Sequence, residues 1–292
     1  MKVGILGNDR KEWHIERLLR VLRRLGAEAY VFPATRLVSR IAGEPKVSVK
    51  GYMIEDYDAL IVRRMPGGTA EKVFYRMDAL HMLEEYGVLV FNPALSIEKS
   101  VNKYYTSALL EKAGITSPRT VVTESFTEAM SAFEELGGDI VVKPLFGSLG
   151  AGITRITDGD IAYRVFRALE STQSVFYLQE YIPHSNEDIR VFVIGGEAIA
   201  SMRRVAAGWK TNISSGAAPE PYEPTTEEVE TSIRAAEVMG LDYTGVDLMR
   251  SEDDETLYTL EVNSTPGWEG LQKVTSVDIA ERLVEYILER LR

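Results

Sequence analysis

The sequence reads LEVNSTPGWEG at residues 260–270 and GVDL at residues 245–248. Each stretch contains a short apolar run, which is typical of a buried β-strand. The charged segment SEDDE lies between them, at residues 251–255, and has the composition of a turn. The pattern therefore predicts a β-hairpin built from these two stretches.

Three side chains of this hairpin carry oxygen ligands. Asp247 and Glu261 are equidistant from Asp254 in the turn, so we expect their carboxylates to face each other across the hairpin. Asn263 points to the same side as Glu261, because side chains alternate along a strand. Adjacent carboxylates in an apolar setting repel unless a positive charge lies between them. Oxygen ligands suit Mg²⁺ held together with substrate phosphates, so the hairpin predicts a metal–nucleotide site.

The composition is that of an ordinary globular protein, with 292 residues of which 45% are hydrophobic and 26% are charged. This length allows two or three packed units. No apolar run approaches the roughly 20 residues of a membrane-spanning helix, so we expect no membrane association. Residues 1–7 predict a first strand rather than a secretion signal. The absence of cysteine excludes disulfides and Cys-ligated zinc, and it is compatible with the cytoplasmic location that we expect.

The net charge of −11 bears on the class of partner. A nucleic-acid-binding protein needs a basic face, so we expect no nucleic-acid partner. An acidic surface also repels polyphosphates, which makes any local cluster of lysine and arginine a candidate phosphate site.

The first hundred residues alternate between strand and helix patterns. Helical spacing of apolar residues covers residues 12–25 and 71–86, and short apolar runs occupy residues 3–6, 29–32, 59–62 and 88–91. This alternation predicts a small parallel α/β domain. Two glycines follow the first strand, but they do not form a dinucleotide-binding fingerprint, and tight turns explain them better than a phosphate site.

The remaining sequence mixes strands and helices in an order that predicts two α+β units rather than one continuous doubly wound sheet. We predict a single helix at residues 96–112 that leads into the second unit. The third unit contains a hairpin with Gly195-Gly196 at its turn, then a helix at residues 225–239, the hairpin described above and a helix at residues 277–291.

Lysine and glycine form a candidate phosphate clamp in the second unit. Lys143 ends an apolar strand, and the loop GSLGAG follows at residues 147–152. Glycines allow several backbone N–H groups to face one anion, although a plain flexible hairpin is the alternative. Lys103, on the preceding helix, is a second candidate, with a solvated surface lysine as its alternative. Residues 179–182, QEYI, can offer backbone groups to an adenine edge or can form an ordinary edge strand.

Arginines gather at the open end of the Gly195-Gly196 hairpin. Asp188 and Arg190 open its first strand, and Arg203-Arg204 closes the second. Arginine binds carboxylate or phosphate through a rigid fork, although surface salt bridges remain the alternative. The polar loop that follows, at residues 208–218, is long enough to lie over a substrate.

These motifs, taken in order, resemble the ATP-grasp superfamily. Along almost its whole length the chain is similar to the RimK-type α-L-glutamate ligases, with the best matches at residues 188–193, DIRVFV, and 261–270, EVNSTPGWEG. A similarity to the archaeal tetrahydromethanopterin:α-L-glutamate ligase branch is also suggested by residues 64–68, 102–103 and 267–268.

The resemblance implies an ATP-grasp fold of the α/β and α+β classes, with an N-terminal parallel α/β (pre-ATP-grasp) domain at residues 1–95. A central ATP-grasp subdomain with the glycine loop then covers residues 96–182, and a C-terminal subdomain with the metal site covers residues 183–292. The implied reaction is the ATP-dependent joining of a carboxylate and an amine through an acyl phosphate, with release of ADP and phosphate. The implied partners are a small-molecule or peptide carboxylate acceptor and an amino acid, L-glutamate, and we expect a homo-oligomer.

The resemblance also assigns site residues. Arg190 and Arg203 would be catalytic, and Asp247, Glu261 and Asn263 would bind Mg²⁺ or Mn²⁺. ATP would be bound by Lys103, Lys143, Gly147, Ser148, Gly150, Gly152, Gln179, Glu180, Tyr181, Ile182, Asp188, Lys210 and Asn212. The sequence departs from relatives at Asn102, where some have an acidic residue, and at Lys210, where many have arginine; both departures leave the choice of acceptor open.

Three other functions are compatible with parts of this pattern. A protein kinase places its glycine loop before the lysine and carries signatures that are missing here, which argues against that class. A ligase of the same fold that uses a different amine is the closest alternative. A nucleotide-binding sensor without turnover is the alternative from another class, and the presence of both lysines and all three metal ligands argues against it.

Overall fold

The computed structural model describes residues 1–147 and 152–292 of the chain. The first unit is built on a parallel sheet with the strand order β2-β1-β6-β7, as the alternating pattern predicted. Its strands are β1 Lys2–Leu6, β2 Glu28–Phe32, β6 Ala59–Val62 and β7 Leu89–Phe91, and its helices are α1 Trp13–Arg24 and α2 Ala70–Glu85. The carboxyl ends of β1, β6 and β7 lie together at one edge of this sheet, because the strands are parallel.

A small antiparallel sheet, β3 Leu37–Ser39, β4 Val47–Val49 and β5 Tyr52–Met53, was not predicted. Strands of two or three residues are too short to show an alternating pattern, so the sequence carried no signal for them. No helix in residues 1–147 and 152–292 is long and apolar enough to cross a membrane.

The helix predicted as continuous over residues 96–112 is two helices, α3 Ala94–Val101 and α4 Lys103–Lys112. The break lies at Asn102, whose backbone has φ −95° and ψ 102°. The Asn102 side chain accepts a hydrogen bond of 3.2 Å from the backbone N–H of Tyr105 and so caps α4. The cap places Lys103 at the first position of a new helix, and the prediction of one continuous helix was wrong for this reason.

The second unit is an antiparallel sheet with the strand order β10-β9-β11-β8. Its strands are β8 Thr120–Thr123, β9 Ile140–Lys143, β10 Thr154–Ile156 and β11 Phe176–Glu180, and its helices are α5 Phe126–Glu135 and α6 Gly159–Ser171. Apolar side chains of both helices and of the sheet form one core, leaving the other face of the sheet for the site.

The third unit is an antiparallel sheet with the strand order β14-β13-β12-β15-β16. Its strands are β12 Glu187–Ile194, β13 Glu197–Val205, β14 Ala218–Pro221, β15 Tyr243–Arg250 and β16 Leu257–Asn263. Helix α7, Thr226–Met239, packs on one face of this sheet together with α4. The short helix α8, Glu269–Gln272, follows β16, and α9, Ile279–Arg290, ends the described chain.

The hairpin of β15 and β16 has the predicted register. Asp247 pairs with Glu261, and Gly245 pairs with Asn263. The pairing shifts by one residue between Asp247 and Leu248. Towards the turn, Leu248 therefore pairs with Thr259 rather than with Leu260. The irregularity lies next to the predicted site, where β-bulges are over-represented.

Helix α9, which the sequence placed with the third unit, packs against β12 of that unit and also on the first unit. Leu283 and Val284 of α9 share a core with Ile15 and Leu18 of α1. The three sheets draw their strands from separate stretches of chain, but the last helix returns to the first of them. The predicted boundaries at residues 95 and 182 stay predictions.

Asn92, directly after β7, ties the first unit to the hairpin of the third. Its Nδ2 donates to the backbone oxygens of Tyr243, at 2.8 Å, and Ser264, at 2.7 Å. Its Oδ1 accepts from the backbone N–H of Tyr243 at 3.0 Å. Asn92 is fully buried, so these backbone groups have no water to replace it.

Two further residues of the first unit hold the turn that follows β16. Arg63 donates from Nη2 to the backbone oxygen of Pro266, at 2.8 Å, and its guanidinium lies 4.5 Å from the centre of the Trp268 ring. His14 accepts from the backbone N–H of Trp268 at 2.9 Å through Nε2. Burial, together with the charge of Arg63, lowers the pKa of His14 to about 3, so the ring stays a neutral acceptor.

We expect Asn92→Ala to destabilise the fold strongly. The substitution leaves three buried backbone groups without a partner, and each such group costs about 1–3 kcal/mol. The free energy of unfolding, measured by urea denaturation, should fall by about 2 kcal/mol or more. Ser171→Ala is the control, because Ser171 makes its hydrogen bond to the backbone of Ala168 on an exposed helix surface. Equal effects of the two substitutions would contradict the role given to Asn92.

Candidate active site

A cleft that is partly open to solvent lies between the second and third sheets. Eleven of the residues that the sequence singled out line it: Lys103, Lys143, Gln179, Glu180, Tyr181, Ile182, Asp188, Lys210, Asn212, Asp247 and Glu261. They come from α4, β9, β11, β12, β15, β16 and the connecting loops, so distant stretches of the chain meet in one place.

The apolar lining of the cleft was not predicted. Val141 and Ile153 contribute from the second unit, and Met249 and Leu260 contribute from the third. The sequence signal that was missed is the alternation of side chains along a strand. Val141 lies two residues before Lys143, and Met249 lies two residues after Asp247. Each apolar residue therefore shares a strand face with a predicted site residue. Pro118, His184, Arg204, Trp209 and Thr211 complete the lining.

Two lysines approach the cleft from different elements. Lys143 donates from Nζ to Oε1 of Gln179, whose Nε2 donates to Thr120 Oγ1 at 2.9 Å, so the amide holds the ammonium in place. Lys103 donates from Nζ to the backbone oxygen of Gly147 at 2.8 Å. Neither lysine has a carboxylate partner in the described ranges, 1–147 and 152–292. Both ammonium groups therefore remain available to an anion.

The environment lowers the pKa of both lysines. Burial lowers the pKa of Lys143 to about 8, with Lys103 adding to the effect and Glu261 opposing it. Burial also lowers the pKa of Lys103, again against the influence of Glu261. The charge of Glu261 affects the pKa of both lysines, so this carboxylate lies near both of them. A polyanion that binds between the lysines would favour the charged form of both.

The segment after β11 connects the two sheets and is held from both sides. The carboxylate of Glu180 accepts from the backbone N–H and Nε of Arg119, at 2.7 and 2.6 Å. The ring nitrogens of His184 lie 2.7 Å from the backbone oxygen of Ile182 and 3.0 Å from that of Trp209. The segment is thus fixed against the loop that carries Trp209, and Tyr181 and Ile182 are held at the cleft wall.

A buried ionic network occupies the floor of the cleft. Arg204 donates to both carboxylate oxygens of Asp188, at 2.5 and 2.6 Å, and Thr211 donates to the same carboxylate. Arg190 donates to both oxygens of Asp247, at 2.6 and 2.7 Å, and Arg204 reaches Asp247 at 2.9 Å. Burial would raise the pKa of Asp247, but the charges of Arg190 and Arg204 outweigh it and keep the pKa low. Asp247 is therefore ionised.

Arg203 does not enter the cleft. It is directly paired in the sheet with Ile189, which belongs to the core under α7, so Arg203 lies on the opposite face. Its guanidinium meets Glu220 at 2.9 Å and Glu187 at 3.6 Å. Arg204, which the sequence reasoning did not choose, is the arginine that lines the cleft, and its direct pairing with Asp188 is the signal that identifies it.

The predicted metal ligands lie side by side on the two hairpin strands. Asp247 and Glu261 are paired directly, and Asn263 lies one pair further along the same face. The Oδ1 of Asn263 accepts from the backbone N–H of Thr265 at 3.0 Å. In residues 1–147 and 152–292, no group of three or more His, Cys, Asp or Glu side chains is arranged to hold a metal ion. Two carboxylates and one amide with free lone pairs still fit a magnesium ion that binds mainly through phosphates.

The glycine loop is described only at its ends. Ser148 and Gly150, which the sequence assigned to ATP, lie outside the described residues. Gly147 and Gly152 flank that gap, and Gly152 has φ +76°, which favours glycine. Lys210 donates from Nζ to the backbone oxygen of Ile153 at 2.7 Å, so the loop of the third unit contacts the end of the glycine loop.

Sequence comparison identifies both parts of the chain. Residues 100–287 match the family described as the RimK-like ATP-grasp domain, and residues 1–97 match the RimK PreATP-grasp domain. A tetrahydromethanopterin:alpha-L-glutamate ligase of Methanococcus maripaludis is 34% identical over 293 residues, which cover 99% of this chain and 98% of the relative. A probable alpha-L-glutamate ligase of Aliivibrio fischeri is 34% identical over 98% of this chain and 95% of its own.

Solved structures show the same fold. The ATP-grasp ligase PsnB, in complex with a minimal precursor, has a TM-score of 0.78 at 23% identity and covers 99% of this chain and 98% of its own. The D-cycloserine synthetase DcsG has a TM-score of 0.78 at 16% identity, with full coverage of both chains. At these identities the structures support the fold, while the sequence matches establish the family. The chain therefore belongs to the RimK-like ATP-grasp family.

Proposed function

We propose that this protein uses ATP to join the amino group of L-glutamate to a carboxylate of an acceptor. The chain is an ATP-dependent ligase that forms carbon–nitrogen bonds, as its family and its named relatives indicate. The observation that carries the proposal is the pairing of Asp247 with Glu261 in a cleft that two lysines enter, neither of which has a carboxylate partner among the described residues. The acceptor is a small molecule or a peptide, and its identity is the target of the first experiment.

Different parts of the cleft suit different parts of an ATP molecule. The apolar side chains Val141 and Met249, from opposite sheets, suit the two faces of a flat base. Backbone groups of residues 180–182 suit its edge, and Asp188, which belongs to the ionic network, also lines the cleft. Lys103 and Lys143 then bind the phosphates.

Asp247, Glu261 and Asn263 would hold one or two magnesium ions against the phosphates. The metal, when bound, neutralises phosphate charge and orients the phosphate that is transferred. The side chains present agree with this role, because all three offer oxygen and none offers sulfur or imidazole.

The reaction needs charge neutralisation and positioning more than a covalent nucleophile. A carboxylate oxygen of the acceptor attacks the terminal phosphorus of ATP, and ADP leaves. The amine then attacks the carbonyl carbon of the acyl phosphate, phosphate leaves, and the amine loses a proton. We place Arg190 and Arg204 near the anions that form, because both guanidiniums lie on the face of the sheet that carries Asp247. The homo-oligomer and the cytoplasmic location stay predictions.

A screen of acceptors by mass spectrometry tests the proposed function. Each reaction contains the protein, ATP, Mg²⁺, L-glutamate and one candidate carboxylate, and other amino acids replace glutamate in parallel. We expect ADP release that requires both acceptor and amine, with a product heavier by one glutamate residue. ATP binding without such release would support a sensor, release of AMP would contradict the acyl-phosphate route, and a preference for another amine would identify a different ligase of this fold.

Glu261→Gln should reduce turnover by about 100-fold or more, because the metal loses a charged ligand next to the phosphates. ADP release at saturating substrates measures the effect. Glu252→Gln, in the exposed turn of the same hairpin, is the matched control and should leave turnover unchanged. Equal rates in the two variants would contradict the assignment of Glu261 to the metal.

The two adjacent arginines of β13 should differ sharply on substitution by lysine. Arg204→Lys loses the forked contact with Asp188 and should lower turnover by about 100-fold, because lysine cannot replace a bidentate arginine. Arg203→Lys changes only contacts on the opposite face and should leave turnover unchanged. Steady-state ADP release measures both variants, and the reverse order of effects would return the catalytic role to Arg203.

ATP binding should take up protons near pH 8. The lowered pKa of Lys143, about 8, means that this lysine is partly neutral at that pH before the nucleotide binds. A triphosphate favours the charged form, so affinity should fall as the pH rises through 8. Isothermal titration calorimetry in buffers with different ionisation heats measures the proton uptake. Lys143→Arg should take up fewer protons, and an absence of uptake in the unaltered protein would refute the expectation.

A further inference from the structure

Asp247 is already neutralised by arginine. Arg190 and Arg204 together make three contacts with its carboxylate at 2.6, 2.7 and 2.9 Å. The side chains of Asp247, Arg190 and Arg204 are 4%, 11% and 3% exposed, so water weakens these contacts little. The carboxylate proposed as a metal ligand therefore has two positive charges beside it in the protein alone.

The two arginines differ in what else holds them. Arg204 is anchored by a second forked contact with Asp188, at 2.5 and 2.6 Å. Arg190 has no acidic partner other than Asp247 in residues 1–147 and 152–292. If one arginine must leave Asp247, Arg190 therefore loses its only ion pair, whereas Arg204 keeps one in either case.

A divalent cation cannot bind Asp247 without opposing Arg190. Like charges that share one buried carboxylate repel strongly, because little solvent screens them. Glu261, directly opposite, has no ion pair in the described part of the chain and is open to the metal from the start. Before a metal binds, Asp247 is thus paired with arginine, whereas Glu261 has no ion pair among the described residues.

We propose that Arg190 is an internal substitute for the metal, which holds Asp247 in the absence of metal–nucleotide and is displaced when it binds. The proposal deepens the proposed function, since it relies on Asp247 as a metal ligand. Displacement frees the Arg190 guanidinium for an anion of the reaction, the acceptor carboxylate or its acyl phosphate. The arginine that recognises the acceptor becomes available only after the metal and nucleotide are in place, which sets the order of binding.

The backbone of Gly245 lies against the side chain of Arg190. A Cβ atom at Gly245 would lie 3.4 Å from Cδ and Nε of Arg190 and 3.2 Å from Cβ of Pro266. Any side chain at this position would therefore press on the arginine. Because glycine has no side chain, residue 245 does not crowd the aliphatic part of the Arg190 side chain.

Metal affinity in the absence of turnover tests the proposal. Electron paramagnetic resonance measures Mn²⁺ binding in the presence of a non-hydrolysable ATP analogue, for the unaltered protein and for Arg190→Met. Removal of the competing charge should tighten Mn²⁺ binding by about tenfold. Arg250→Met is the control, because Arg250 lies on β15 together with Asp247 but pairs with Glu227 and Glu228. This variant should bind Mn²⁺ as the unaltered protein does.

Unchanged or weaker Mn²⁺ binding by Arg190→Met would overturn the proposal. Arg190→Lys is the second variant if the methionine variant does not fold, because it keeps the charge but loses the fork, and its affinity should lie above that of the unaltered protein. Glu261→Gln tests the proposed function separately: its loss of Mn²⁺ binding would support the metal site whatever Arg190 does. A metal site confirmed by Glu261→Gln, with no gain in Arg190→Met, would reject the proposal and leave the proposed function intact.

Discussion

The site depends on the hydrogen bonds by which the first unit holds the hairpin of β15 and β16 in place. Asn92 binds the backbone of both hairpin strands, and Arg63 and His14 hold the turn that follows. All three residues lie near the edge where the parallel strands of the first sheet end. The first unit therefore contributes no side chain to the lining of the cleft, yet it fixes the strands that carry Asp247 and Glu261.

The cleft itself joins parts that are held independently. The second sheet supplies Lys143, the break at Asn102 supplies Lys103, and the third sheet supplies the carboxylates. The segment around His184 and the hydrogen bond from Lys210 to Ile153 tie the second and third sheets at this point. A site with walls on two sheets can adapt to its nucleotide while the hairpin that binds the metal stays fixed.

The sequence predicted the structure correctly where a short-range rule determines the geometry. Counting outward from the turn paired Asp247 with Glu261, but it did not reveal the irregular pairing beyond Asp247, because an extra residue in a strand leaves no compositional mark. The sequence analysis also chose Arg203 rather than Arg204, although Arg204 lies in the cleft and Arg203 lies on the opposite face. His14 was not found, because its role depends on a turn far away in the sequence.

The return of α9 to the first sheet has a consequence for synthesis of the chain. The apolar face of α1, around Ile15 and Leu18, is covered by residues near Leu283 and Val284. The ribosome makes residues 1–97 long before it makes these partners, so the part of this face that α9 covers stays exposed while the intervening chain emerges. Nascent-chain chaperones are therefore expected to associate with the first unit until α9 has been made.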